Sequence, residues 1–147
     1  MISIDPIEHE DLEKLSLLYE ELIGSPSSPS DLLKMQAQFT IMKSNANYRL
    51  TGIKVDGELA GSVMGIVCQD LVGDCRPFMV IENVVISHKC RGLGLGKKIM
   101  NEMENIAKRA DCYYIIFVSS AYRKDAHKFY ESLGYKLDEV QGFRKMI

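Results

Sequence analysis

Arg91-Gly92-Leu93-Gly94-Leu95-Gly96-Lys97-Lys98 lies between two stretches of different character. Before it, Phe78 to Ile86 is an apolar run broken only by Glu82 and Asn83. After it, Leu95, Ile99, Met103, Ile106 and Ala110 recur at gaps of four, four, three and four. That spacing puts the apolar side chains on one helical face. The glycines therefore fall where a strand ends and a helix begins. The first turn of a helix leaves backbone N–H groups unpaired and carries a partial positive charge. Glycines there let those N–H groups close around a phosphate. Between Ser87 and Ile99 the charged side chains are Lys89, Arg91, Lys97 and Lys98, with no carboxylate. In a chain of net charge −2 this is a local anion site.

Three phosphate-binding motifs compete for this stretch. A P-loop built on Gly96-Lys97 needs glycine at position 91 and Ser or Thr at position 98, which are Arg91 and Lys98. A dinucleotide fingerprint needs its third glycine one residue later than Gly96. The third pattern, Arg-x-x-Gly-x-Gly, fits Arg91, Gly94 and Gly96. A second signature follows about thirty residues on, Arg123-Lys124-Asp125-Ala126-His127-Lys128-Phe129-Tyr130-Glu131-Ser132-Leu133-Gly134-Tyr135. Ala126, Phe129, Tyr130 and Leu133 share a helical face, and Gly134 suits a helix end. Together, in this order, the two stretches resemble the pyrophosphate loop and closing helix of the GCN5-related N-acetyltransferases (GNAT). Arg123 stands where that family often carries Asn.

The rest of the chain fits one soluble α/β domain over residues 1–147. Its 147 residues are 46% hydrophobic and 26% charged, enough for a sizeable core. No apolar run approaches the length of a membrane span. The N-terminus lacks the basic start of a signal peptide. Cys68, Cys75, Cys90 and Cys112 have neither CxxC nor metal spacing, and only His9, His88 and His127 accompany them. The expectation is a cytoplasmic protein with free thiols and no metal. The net charge of −2 argues against general nucleic-acid binding.

Taken in order, Met1 to Ile7 predicts a strand ended by Pro6. Leu12, Leu15, Tyr19 and Leu22 mark a helix stopped by Gly24. Residues 25–30 are Ser/Pro-rich and read as a surface loop. Leu32, Met35, Phe39 and Met42 mark a second helix. Tyr48 to Val55 and Glu58 to Cys68 flank Asp56-Gly57, the strongest short hairpin signal. Phe78 to Ile86 and Cys112 to Val118 predict buried parallel strands around the crossover helix. Tyr135 to Leu137 and Phe143 to Ile147 predict a final hairpin turned at Gln141-Gly142. The layout is an α/β (α+β) mixed sheet in the order β-α-α-β-β-β-α-β-α-β-β. That is the order of a GNAT-like acyl-CoA N-acyltransferase fold, whose central parallel pair splays past a bulge.

The resemblance also implies chemistry. Acetyl-CoA is the implied co-substrate, its diphosphate held at Arg91, Gly92, Leu93, Gly94, Leu95, Gly96 and Lys97, with Arg123 as a further contact. Its pantetheine arm would pair with backbone at Val84, Val85 and Ile86, and the Val84 N–H would polarise the thioester carbonyl. An amine acceptor is mostly protonated at neutral pH, so a base helps. Glu82 is the only acid in its strand, and plain alternation gives it an apolar face shared with Val80, Val84 and Ile86. A bulge would shift that register. Tyr130 matches the family's general acid, while His127 reads as a side chain on the exposed side of its helix. Cys90 abuts the anion loop. The implied activity is acetylation of a small-molecule primary amine, of aminoalkylphosphonate, aminoglycoside or amino-sugar type. The alternatives are acetylation of a protein N-terminus or lysine, and a non-catalytic acyl-CoA-binding module. A homodimer is suggested by analogy with relatives.

Overall fold

The computed structural model describes residues 1–26 and 29–147, and side chains outside 27–30. Two compact units emerge, Met1–Ile116 and Phe117–Ile147. In the first, a five-stranded sheet runs β1 (Ile2–Pro6), β2 (Tyr48–Val55), β3 (Glu58–Cys68), β4 (Phe78–Ile86) and β5 (Ile115–Ile116), in that spatial order. The first four strands pair antiparallel, and β4 pairs parallel with β5. The β2–β3 turn is Asp56-Gly57, with φ of 50° and 84°. Positive φ at both turn residues matches the twist of the strands it joins.

Helices cover both faces of the sheet. On one face, α1 (Leu12–Ile23) contributes Leu12, Leu15 and Leu18 to a core shared with Ile7, Leu59 and Val85. The second helix, α2 (Pro29–Lys43), adds Phe39 to that core. On the other face lies α3 (Leu95–Arg109), which buries Leu95, Ile99, Met100, Met103, Ile106 and Ala107. Gly65 in β3 admits this helix: a Cβ there would overlap the Met103 methyl group. Ser62 is wholly buried in β3, and its hydroxyl donates to the Thr51 carbonyl at 3.0 Å. That bond offsets the cost of burying a polar group.

A buried carboxylate anchors the start of α1. Asp11 lies in a short 3₁₀ turn (His9–Asp11) and is 7% exposed. It accepts the Glu8 N–H at 2.9 Å and pairs with Lys54 Nζ at 2.8 Å. The hydrogen bond that Lys54 donates to Asp11 is the main reason the Lys54 pKa is raised. While its carboxylate partner is ionised, a raised lysine pKa contributes stability that is present below the unfolded value and lost as pH climbs through the folded one. Asp11→Ala is therefore expected to cost about 2 kcal/mol at neutral pH. The measurement is a lowered urea midpoint with an unchanged slope.

Two sequence expectations need correction. The strand predicted over Cys112–Val118 is confined to Ile115–Ile116. The Cys112 N–H instead closes α3 on Ala107 O at 2.9 Å, and the Tyr113 N–H reaches Pro77 O at 3.0 Å. The hairpin predicted at Tyr135–Leu137 and Phe143–Ile147 has no strand among the described residues. Leu137, Val140, Phe143, Met146 and Ile147 are exposed there. Alternating apolar residues make a strand only where a neighbouring ladder pairs their backbone. The second unit is organised by α4 (Lys124–Ser132) and an aromatic cluster.

Candidate active site

The site builds from an irregularity in β4. Met64 faces Glu82 and Ser62 faces Val85, so three steps along β4 match two along β3. The extra residue is a β-bulge. Asn83 adopts φ 56°, the left-handed region that Asn tolerates better than most residues. Ile81 faces Gly65, on the α3 side. Val85 faces Ser62 and packs in the α1 core. In an unbroken strand two residues four apart would share a face; the bulge sends them to opposite faces.

The bulge also corrects the placement of Glu82. It shares no continuous apolar face with Val84 and Ile86, and it is exposed. Asn83→Val puts a β-branched residue at positive φ, with an expected loss of about 2 kcal/mol in stability. Asn83→Gly should stay within about 1 kcal/mol of the parent. Urea unfolding of the two variants tests this ordering.

Past Val80, β4 loses its second neighbour. The β4–β5 ladder consists of Met79↔Ile115 and Val80↔Ile116. Among the described residues, Val84, Val85 and Ile86 have no ladder partner on the β5 side. They keep β3 on the other, where Val85 faces Ser62 and Ile86 faces Gly61. This is the predicted splay of the parallel pair. Within the first unit this edge of β4 keeps main-chain donors and acceptors without a ladder partner.

The strand leads through a 3₁₀ turn (His88–Cys90) into the glycine loop. The loop is anchored behind by the Ser87 N–H on Ala60 O at 2.8 Å. Gly92 and Gly94 have φ of 82° and 73°, and Gly94 is the N-cap of α3. Among the described residues no side chain caps that helix start. The first intrahelical bond among the loop residues runs from the Lys98 N–H to Gly94 O at 3.2 Å. A Cβ on Gly92 or Gly94 would point into open space. Arg91, Leu93, Lys97 and Lys98 are exposed around it, Gly96 is half-buried, and Leu95 is buried beneath. Uncapped amides, open space and three flanking cations fit an anion. Cys90 is half-buried, its N–H tied to Ser87 O at 2.9 Å.

In the second unit, Tyr130 projects from α4 into aromatic company. Its ring lies edge-on to Phe117 at 4.7 Å between centroids, and Tyr135 meets Phe117 at 5.0 Å. Burial raises the Tyr130 pKa, and the nearby Arg123 charge opposes the rise only in part. The hydroxyl therefore keeps its proton at neutral pH. Arg123 is the N-cap residue of α4, exposed and without a side-chain capping bond. His127 is half-buried, and its Nε2 lies 3.0 Å from Ser120 O, so it secures the loop before the helix. Ser119 Oγ is buried without a hydrogen-bond partner among the described residues.

Other features lie apart from these residues. A cleft of about 450 Å³ opens beside β1, between α2, the start of β2 and α3, and no predicted site residue lines it. Among the described residues no cluster of three His, Cys, Asp or Glu is placed to hold a metal ion. No described helix is long and apolar enough to cross a membrane. Sequence reasoning missed Asn83. The signal was present: Glu82-Asn83 interrupts an otherwise apolar strand, and Asn tolerates the left-handed conformation.

The profile of the acetyltransferase (GNAT) family matches residues 13–135. A glucosamine 6-phosphate N-acetyltransferase of Trypanosoma brucei brucei is 32% identical over 85 residues, 58% of this chain and 56% of that protein. A probable glucosamine 6-phosphate N-acetyltransferase of Drosophila melanogaster is 30% identical over 100 residues, 67% of this chain and 44% of that protein. The chain thus spans about half the length of the curated relatives it matches. A solved Trypanosoma brucei acetyltransferase superposes with a TM-score of 0.82 at 26% identity, over 99% of this chain and 100% of that one.

Proposed function

Because this chain belongs to the GNAT acetyltransferase family, we propose that it transfers an acetyl group from acetyl-CoA to the primary amine of a small molecule, by direct attack in a ternary complex. The single observation that carries the reading is the uncapped start of α3, with Gly92 and Gly94 at positive φ beside the unpaired stretch of β4. Bare amides at a helix N-terminus suit a diphosphate. Unpaired strand backbone suits an amide-bearing arm.

Each residue then has a role in this reading. Main-chain N–H groups of residues 92–97 hold the diphosphate, and Arg91, Lys97 and Arg123 add charge. Backbone of Val84, Val85 and Ile86 orients the arm. The Val84 N–H donates to the carbonyl oxygen as negative charge develops on it. When bound, acetyl-CoA supplies an acyl group activated as a thioester. An alkylamine with a pKa of about 10.4 is unprotonated in only about one molecule per thousand at pH 7. Glu82, exposed beside the bulge, takes up the ammonium proton directly or through water. Tyr130 Oη supplies a proton to the leaving group.

For the acceptor, the curated relatives are named for glucosamine 6-phosphate. We place amino-sugar phosphates first, ahead of aminoalkylphosphonates and aminoglycosides. The test is thiol release from acetyl-CoA against a panel of these amines, with N-terminal and lysine peptides included. Turnover with a small amine supports the reading. Turnover with peptides alone moves the acceptor to proteins. Calorimetric heat with coenzyme A but no turnover would leave a binding module. No heat with either coenzyme A or acetyl-CoA would end the acyl-transfer reading.

A further inference from the structure

Glu21 stands in the last turn of α1, where its charge opposes the helix dipole. The partial negative charge at a helix C-terminus favours cations, yet this turn holds Glu20 and Glu21 and no basic residue. What offsets the cost is a long-range contact. Glu21 Oε2 accepts the His88 N–H at 3.1 Å, across 67 residues of sequence. His88 opens the 3₁₀ turn that leads into the glycine loop. Its N-cap residue, Ser87, makes no side-chain capping bond. The first N–H groups of any helical turn lack an internal partner. Glu21 supplies, from another element, an acceptor for the first of these N–H groups.

The contact joins the end of α1 to the turn that enters the glycine loop. α1 ends at Gly24, whose N–H returns to Glu20 O at 2.7 Å, and the chain then enters residues 25–30. His88 begins the run to Arg91, Gly92 and Gly94. From this geometry we infer that Glu21 is a positioning residue. Its carboxylate fixes where the chain leaves β4, and so fixes the orientation of the amides in the coenzyme loop. This rests on the reading of that loop as the diphosphate site. Glu21 touches no reacting atom. It acts through the His88 backbone.

The test compares Glu21→Ala with Glu21→Gln in the full chain. Glutamine keeps an oxygen that can accept the same N–H, whereas alanine does not. Glu21→Ala is expected to raise the acetyl-CoA KM about three- to tenfold with kcat within about twofold, as the loss of one exposed charge-assisted hydrogen bond allows. Glu21→Gln should restore most of the loss. Hydrogen exchange of the His88 amide gives a readout that needs no activity. It should accelerate about tenfold or more in Glu21→Ala and stay near the parent rate in Glu21→Gln. An unchanged His88 rate in Glu21→Ala would overturn the inference. So would an alanine variant whose KM matches the parent, or a glutamine variant as impaired as alanine. If the parent protein itself binds no coenzyme A while the His88 rates behave as expected, the diphosphate reading fails and the capping contact stands.

Discussion

Tyr130→Phe is expected to lower kcat by about a hundredfold while leaving the acetyl-CoA KM within about threefold, a loss typical of removing a general acid. The substitution is mild for packing. The ring that meets Phe117 edge-on at 4.7 Å is kept, and only the hydroxyl is lost. Burial raises the Tyr130 pKa, so the group is protonated and able to donate across the neutral range. The sign of the pH effect follows. Tyr130 is competent below its raised pKa and loses its proton only as pH climbs through it, above the ordinary tyrosine range. An alkaline fall in kcat from this group should therefore begin above about pH 10 in the parent and be absent in the variant. Stopped assays over that range, at saturating acetyl-CoA and amine, read both effects. A variant with parental kcat and weakened coenzyme affinity would assign Tyr130 to packing around the coenzyme and remove it from proton transfer.

Much of the first unit is legible residue by residue. The Asp56-Gly57 turn set the ends of β2 and β3, since a two-residue turn with positive φ at both positions matches the twist of the strands it joins. The spacing from Leu95 to Ile106 set the buried face of α3. Periodicity carries less information where the outcome depends on a partner. Residues 135–147 alternate well enough for strands, but a strand is a property of two segments. The same holds for Cys112–Val118, where two residues join the sheet and the residues before them are claimed by α3 and Pro77. In β4 the obstacle was register. One added residue at Asn83 reversed the faces of everything beyond it, so Glu82 could not be placed by alternation. The Glu21–His88 bond left no trace at all, because nothing in either local stretch names the other. The glycine loop was the reverse case. Its amides, charge and missing side chains are all local properties, and local properties are what a sequence displays.

Gly94→Val is expected to weaken coenzyme A binding by about a hundredfold or more. Two costs arise. Gly94 sits at φ 73°, where a β-branched residue is strained by about 1–2 kcal/mol. Its Cβ would also project into the open space at the start of α3, the volume a diphosphate needs to reach the amides. The strain falls on the stability of the free protein, whereas loss of the amide contacts, at about 3 kcal/mol, corresponds to a factor of more than a hundred in affinity. Strain alone can be separated from obstruction. Gly57 in the β2–β3 turn has φ 84° and equally open surroundings, but lies outside the loop. Gly57→Val should lose comparable stability and keep parental affinity. Arg91→Ala should weaken binding by about tenfold at low salt and less at high salt, because screening already erodes an exposed charge. Calorimetric titration of the three variants with coenzyme A, alongside thermal melts, provides the measurement. If Gly94→Val binds within about threefold of the parent, the amides at the start of α3 do not hold the diphosphate. The coenzyme would then have to be sought elsewhere on the protein.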